Sequence, residues 1–457
     1  MWKYMLSLIV CLLSVVNCQL AMAQRQWTLD ECMDYAIAHN KQAQHLQNEQ
    51  QRRKINVQAS KDARLPRFEG DMGGYVLSLH HAGDGNKFNA NQSLINMGVS
   101  GAVPLYTGNR LSSQIKASKY ALMAVEEEMR STDKDIKVQV AAAFLQVCYD
   151  KGEVAIARKQ QDISRLLLQQ ARSLYEKGKR PESDVVEAEA MVSRDDALLT
   201  AAEGDVTLAL LDLKLLLDLP DSIDFDICEP TGSIEILPLI DSHNSYTRTS
   251  SSHPAVRSAS YGIQSAEQTV KVARSGYYPT LSLVGHLGTI WTNISADASH
   301  SGHIPMPIPL GKYDKFNYTI SSEIDWKRKN FLTAFLGLSL NIPIFNAFET
   351  RARIRSAKVD LEDARISYED AQQQVRKKIS QAWQGAVTAQ SRYEAEVKSE
   401  ESSALAYRYA QKRYDAGMIT LFDLTQSRQQ WFTAAENALR MKYEYLIRRR
   451  ILDIQTQ

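Results

Sequence analysis

The stretches "LYEKGKRPESDV" (Leu174–Val185) and "RYDAGMITLFDL" (Arg413–Leu424) decide the architecture. Each carries Tyr, then Gly three residues on, then Asp six residues later. The pairs Tyr175/Tyr414, Gly178/Gly417 and Asp184/Asp423 all lie 239 residues apart. Gly is the usual residue just past a helix end, because it takes positive φ without strain. One chain therefore makes the same helix–turn–helix twice.

The offset extends outward. Pro104, Ile115, Lys119 and Leu122 match Pro343, Ile354, Lys358 and Leu361. Val140, Ala143 and Phe144 match Ile379, Ala382 and Trp383. Upstream, Pro66 matches Pro279 at an offset of 213, so the second copy carries 26 extra residues between Pro279 and Pro343. An internal duplication with one insertion accounts for this. The repeats are expected at 24–229 and 253–457, joined by a Pro- and Ser-richer linker at 230–252.

Residues Thr107–Lys177 read as one helix, with Ile136, Val140, Ala143, Phe144 and Val147 on one face. At 1.5 Å per residue it is about 105 Å long, which asks for coiled-coil-like partners. The return helix is expected over Pro181–Asp218, and an N-terminal helix over Leu29–Ala63. Two half-length helices stacked end to end would then flank each long one. Alternation marks strands at Leu281–Trp291, Leu332–Ile344 and Ile95–Leu105, with a weaker, Gly-rich strand after Pro66. Such lengths suit tilted transmembrane strands. Four strands cannot close a barrel, whose outer-membrane minimum is about eight; three chains would give about twelve.

The chain has 457 residues, of which 44% are hydrophobic and 23% charged, with net charge +1. "MWKYMLSLIVCLLSVVNCQLAMA" has a charged start, an apolar run and Ala-Met-Ala, so 1–23 is expected to be a signal peptide. Lipidation of Cys18 is the rival reading, disfavoured by the preceding Asn17. Losing Lys3 brings the charge to zero, so nothing points to nucleic acid. Cys32, Cys148 and Cys228 form no CxxC and read as small buried hydrophobes. No later segment has 18 consecutive apolar residues. His80-His81 is expected in a solvated loop between the first two strands. "DWKRKN" (Asp325–Asn330), with Tyr313, Phe316, Tyr318 and Trp326, reads as a solvated loop or an aromatic girdle at lipid headgroups. "RRR" (Arg448–Arg450) reads as a solvated helix end. No GxSxG, HExxH, phosphate loop or DxDxDG is present, so no enzyme, cofactor or metal is expected.

The whole pattern resembles the TolC family of outer-membrane efflux proteins. "WTLDECMDYAIAHN", the strand exits "PLYTG" and "PIFNA", and the two tips carry the resemblance. It implies a mainly α fold: long antiparallel helical hairpins forming an α-barrel, plus four strands per chain in a shared twelve-stranded trimeric outer-membrane β-barrel. It implies an exit channel of a tripartite efflux or secretion system. The partners would be two further copies, a periplasmic adaptor, an inner-membrane pump and outer-membrane lipid. It places a Tyr, an Arg and two Asp at the periplasmic constriction; the matching positions here are Tyr414, Ile419, Asp423 and Gln426. Without that Arg, a hydrophobic or hydrogen-bonded closure is expected. Gly178, Lys179, Arg180, Gly417 and Met418 become candidate adaptor contacts, with Arg180 near Asp184. Tyr175 and Tyr414 read equally as packing residues, and Asp184 and Asp423 as N-caps. The competing reading is a soluble periplasmic coiled-coil adaptor or spacer.

Overall fold

The computed structural model describes residues 26–83, 86–220, 223, 225–228, 252–297, 303–305, 315–317 and 329–456. The expected signal peptide, nearly all of the expected linker, Tyr313, Tyr318 and Trp326 lie outside them. The elements run α1 (Leu29–His39), α2 (Lys41–Asp62), β1 (Arg67–Gly83), β2 (Asn86–Tyr106), α3 (Arg110–Glu176) and α4 (Glu182–Leu216). They continue with α5 (Pro254–Arg274), β3 (Thr280–Asp297), β4 (His303–Pro305), β5 (Lys315–Asn317), β6 (Lys329–Asn341), α6 (Glu349–Asp415) and α7 (Leu421–Thr456). The long helices α3 and α6 both have 67 residues, and their return helices have 35 and 36.

Two compact units draw on both repeats. One comprises residues 55–119 and 264–362; the other holds the remainder of the chain. The first is organised by an antiparallel sheet in the order β1-β2-β3-β6. Its ladder gathers most of the apolar residues of the four strands on one face, with Tyr75, Val284, Ile290 and Phe335 on the other. Phe68, Met72, Val76, Met97, Val99, Leu287, Leu332, Leu336 and Leu338 are exposed on that apolar face. The other face carries Glu69, Asp71, Asn96, Ser100, Ser282, His286 and Ser339, with Asn96 donating to Asp71 at 3.3 Å. The glycines weaken β1 less than expected, and it runs 17 residues in register with β2. Glycine has a packing role at Gly98 and Gly288, which pair across strands. A Cβ on either would sit 2.4 or 2.6 Å from the His286 ring, which lies over them.

Several expectations need correction. His80 and His81 lie within β1, opposite Asn89 and Phe88, not in a loop. The last strand stops at Asn341, short of Pro343, which has no N–H for a ladder. The N-terminal helix breaks at Asn40, where ψ turns to 133°; the Asn40 side chain accepts from the Gln42 N–H at 2.8 Å and starts α2 afresh. The 26-residue insertion holds a small β4–β5 ladder, and Phe316 lies in it.

The helical unit has its main core around the expected face. Ile136, Val140, Phe144 and Val147 of α3 pack with Cys32, Met33, Ala36, Leu213 and Leu217. In the second copy Val375 and Ile379 are buried, and Trp383 packs against Ala382 and Ala386. The end of α4 meets the start of α2 through the Lys41–Asp218 ion pair at 2.5 Å, as end-to-end stacking requires. Arg450 is not a bare helix end: it pairs with Asp30 at 2.8 Å. Where α5 begins, buried His253 accepts from the Ala255 N–H at Nδ1, 3.3 Å away. Burial, then the Lys134 charge, pushes its imidazole down to about 4; Gln455 opposes the shift.

Two outcomes are expected. Arg in place of Leu336 should cost about 2–4 kcal/mol of membrane stability, whereas Ser339→Arg on the polar face should cost little. Unfolding midpoints in lipid vesicles measure both. His253 is depressed when folded, so the unfolded chain binds the extra proton. Its contribution is complete above the ordinary 6.5 and lost as pH falls through about 4. Thermal unfolding across that window should lose this component of its slope in His253→Gln.

Candidate functional site: the two helix tips

Both hairpins turn by the same backbone device. Gly178 and Gly417 have φ of 71° and 72°. The Gly178 N–H donates to the Tyr175 carbonyl at 2.7 Å, and the Lys179 N–H to that of Leu174 at 2.9 Å. In the second tip Gly417 donates to Tyr414 at 2.9 Å and Met418 to Arg413 at 2.8 Å. These paired bonds satisfy carbonyls that a helix end leaves open, and a residue with a Cβ is strained there.

The return helices then start differently. Thr420 caps α7, and neither Asp is the N-cap. The Asp423 N–H donates to Thr420 Oγ1 at 3.2 Å, while the Asp423 carboxylate accepts from the Thr420 N–H and hydroxyl at 3.1 and 2.8 Å. This reciprocal capping box closes open donors at the helix start. The Thr420 hydrogen bonds hold the Asp423 carboxyl below the usual range. In the first tip Pro181 occupies the cap and offers no side-chain acceptor. Asp184 instead faces Arg180 at 3.9 Å.

Arg180 joins the tips. Its guanidinium lies 4.8 Å from the Tyr414 ring centroid, and Nη2 donates to the Ile419 carbonyl at 3.5 Å. Arg180 and Ile419 are themselves repeat equivalents, so the positions that match in sequence meet in space. Tyr414 is buried with Leu167, Ala171, Ala188, Met191, Leu421 and Leu424. Burial raises its phenol, and the nearby Arg180 charge counters part of the shift. Tyr175 is 44% exposed. The two tyrosines therefore differ: one is packed and one is open. Gly178, Lys179, Gly417, Met418, Asp423 and Gln426 are exposed, and Ile419 packs partly against the tip core.

Sequence reading missed the contact behind the tips. Arg428 of α7 is 3% exposed, and Asp195 of α4 is 1% exposed. Arg428 Nη1 donates to Asp195 Oδ2 at 2.8 Å and to the Gln160 carbonyl at 3.1 Å. A signal existed: Leu421, Leu424, Arg428 and Phe432 share one helical face, with Arg among buried apolar residues. Tyr407 stacks on Trp431 at 5.2 Å, over which Lys159 lies at 4.7 Å. Among the described residues no group of His, Cys, Asp or Glu is placed to hold a metal ion, and no helix is long and apolar enough to cross a membrane.

A profile for the family described as "Outer membrane efflux protein" matches residues 33–218 and 246–453. The chain belongs to that family. Its location is the outer membrane, in keeping with the exposed apolar sheet face. It is 25% identical over 280 residues to the outer membrane efflux protein BepC of Brucella suis biovar 1 (strain 1330), covering 61% of this chain and 54% of that protein. It is 24% identical over 351 residues to the alkaline protease secretion protein AprF of Pseudomonas aeruginosa, covering 75% and 65%. The chain thus spans between about half and two thirds of these relatives' length. The fold is shared with CusC (TM-score 0.73, 15% identity, 94% of this chain and 91% of that one). The outer-membrane channel CmeC of Campylobacter jejuni shares it too (TM-score 0.72, 18% identity, 94% and 85%).

The capping box should be measurable in isolation. Thr420→Ala should cost about 1 kcal/mol of unfolding free energy in detergent. Gly417→Ala should cost a similar amount, about 1 kcal/mol, through positive φ alone. Pro181→Ala, with no side-chain bond to lose, should be close to neutral by the same unfolding assay.

Proposed function

We propose that the protein is the outer-membrane exit channel of a tripartite efflux or secretion system, passive in itself. Three copies would share one β-barrel in outer-membrane lipid, with their helices forming a tunnel into the periplasm. One observation carries this reading. The four-stranded sheet presents an apolar face and leaves β1 and β6 as edges. Lipid tolerates such a face but not unpaired backbone, so the edges need strands from other copies. Family membership supports the same reading, as do relatives named for efflux and for protease secretion. A periplasmic adaptor would meet the exposed tip residues Gly178, Lys179, Gly417 and Met418, and an inner-membrane pump would supply the drive. The chemistry is conduction, not catalysis, and nucleic acid has no part in it.

The gate would lie at the tips. Ile419 supplies no guanidinium, but Arg180 brings one from the other hairpin and fastens it over Tyr414. Asp423 is turned inward to its own helix cap, and Gln426 is exposed. The closure is therefore a cation–π and hydrogen-bonded lock between the two tips of a chain, not an Arg–Asp link within the second tip.

Light scattering of detergent-extracted protein, with detergent mass subtracted, should give the mass of three chains. A monomer stable without detergent would instead favour the soluble adaptor or spacer. In planar bilayers Arg180→Ala should raise ion conductance several-fold, and Lys179→Ala should leave it unchanged. Equal conductance in both would remove Arg180 from the gate.

A further inference from the structure

Two clefts adjoin each other between α3, α6 and α7, with volumes of about 260 and 230 Å³. Lys159 and Trp431 line both, so they form one groove divided by an indole. From α3 come Ile156, Ile163 and Leu166; from α6 come Tyr393, Val397 and Tyr407. Tyr407 stacks on Trp431 at 5.2 Å. Every lining residue belongs to one compact unit of one chain.

Charge divides α3 lengthwise. Arg158, Arg165 and Arg172 meet Glu203, Asp196 and Glu189 of α4 at 2.9, 3.2 and 2.6 Å. A spacing of seven keeps residues on one side of a helix, so that side is neutralised. Lys159 is the residue after Arg158, and it faces the groove, 4.7 Å above the Trp431 ring. Arg408 of α6 and Lys442 of α7 line the groove with it. None of these three cations is in an ion pair among the described residues, and Glu400 is the one acid in the lining. Trp431 also keeps a buried indole N–H with no acceptor. Such a donor costs free energy until something accepts from it.

Size and charge together define a ligand. A cavity of roughly 150 Å³ takes a benzene ring, so each cleft has room for a bicyclic body. Aromatic walls suit a flat apolar ring. Unpaired cations and a spare N–H suit an anionic oxygen group. We propose that this groove binds aryl monoanions, each a bicyclic apolar body bearing a single carboxylate or sulfonate. A cationic analogue would meet like charges on all three helices.

Calorimetry on the full-length protein in nonionic detergent tests this, with naphthalene-2-carboxylate as the probe and heats into protein-free micelles subtracted. The neutral comparator is naphthalene-2-methanol, and the cationic one is 2-naphthylmethylammonium. The anion should bind about tenfold tighter than either, because exposed ion pairs are individually weak and only several together reach that factor. Lys159→Met with Arg408→Gln, both at exposed positions, should remove this advantage and leave the neutral compound unchanged. Trp431→Phe, which keeps a flat ring and loses the N–H, should weaken the anion alone. Arg158→Gln, on the ion-paired side, should change nothing. Equal binding of the three compounds, or the same loss from Arg158→Gln as from the groove variants, overturns the proposal. Planar bilayers separate two sources of such a ligand. Conductance lowered by the probe marks cargo held inside the tunnel; binding with conductance unchanged marks a ligand from the surrounding periplasm. This last comparison rests on the exit-channel reading: a protein that conducts nothing sinks that reading and leaves the calorimetry standing.

Discussion

Backbone hydrogen bonding in lipid is the constraint on which everything else depends. An exposed N–H or C=O in hydrocarbon has no water to turn to, so a spanning sheet cannot keep an edge. Here the sheet ends in two edges, β1 and β6, and one of its faces is apolar. Neither feature makes sense for a chain alone in water. Together they set the alternation along the strands and fit the proposed three-fold assembly. The glycines that look like weaknesses in the strands serve the other face, where Gly98 and Gly288 make room for the His286 ring.

The second theme is duplication followed by divergence. The backbone of the turn is preserved to within a degree of φ, at Gly178 and Gly417. Its side chains have parted. One tip keeps a Thr420–Asp423 capping box; the other has Pro181 and uses its acid to face Arg180. One tyrosine is roofed by a guanidinium and the other is open to solvent. A sequence repeat thus became a structural pair with distinct halves, and the differences fall where the halves touch.

Much of this was legible in the sequence, because it rests on local rules. The tip glycines announce positive φ, the apolar spacing at Ile136–Val147 announces a buried helix face, and strict alternation announces β2, β3 and β6. The break at Asn40 was not, since it depends on a side chain outcompeting a helical hydrogen bond with little change in periodicity. His80 and His81 were misplaced because polar residues read as loop, while their strand is fixed by pairing with β2. The site was legible only in part. Residue types at the tips could be listed, but not that Arg180 serves the opposite tip. Nor could spacing show that Arg428 finds Asp195 more than two hundred residues away. Such contacts come from how the hairpins pack, which no single helix encodes.

The strand order carries a further consequence, for assembly in time. β2 and β3 are neighbours across their whole length, yet α3, α4 and α5 lie between them in the chain. Contacts of such separation form late, after local hairpins have closed. The helices can zip from their turns while the strands are still unpaired. During that interval the chain shows water an apolar sheet face and bare edges, the features that drive intermolecular β-pairing. Passage to the membrane is thus the dangerous part of this protein's life. In the proposed three-fold assembly, closing the sheet, entering lipid and meeting the other copies must happen nearly together, because each step removes a hazard that the others leave open.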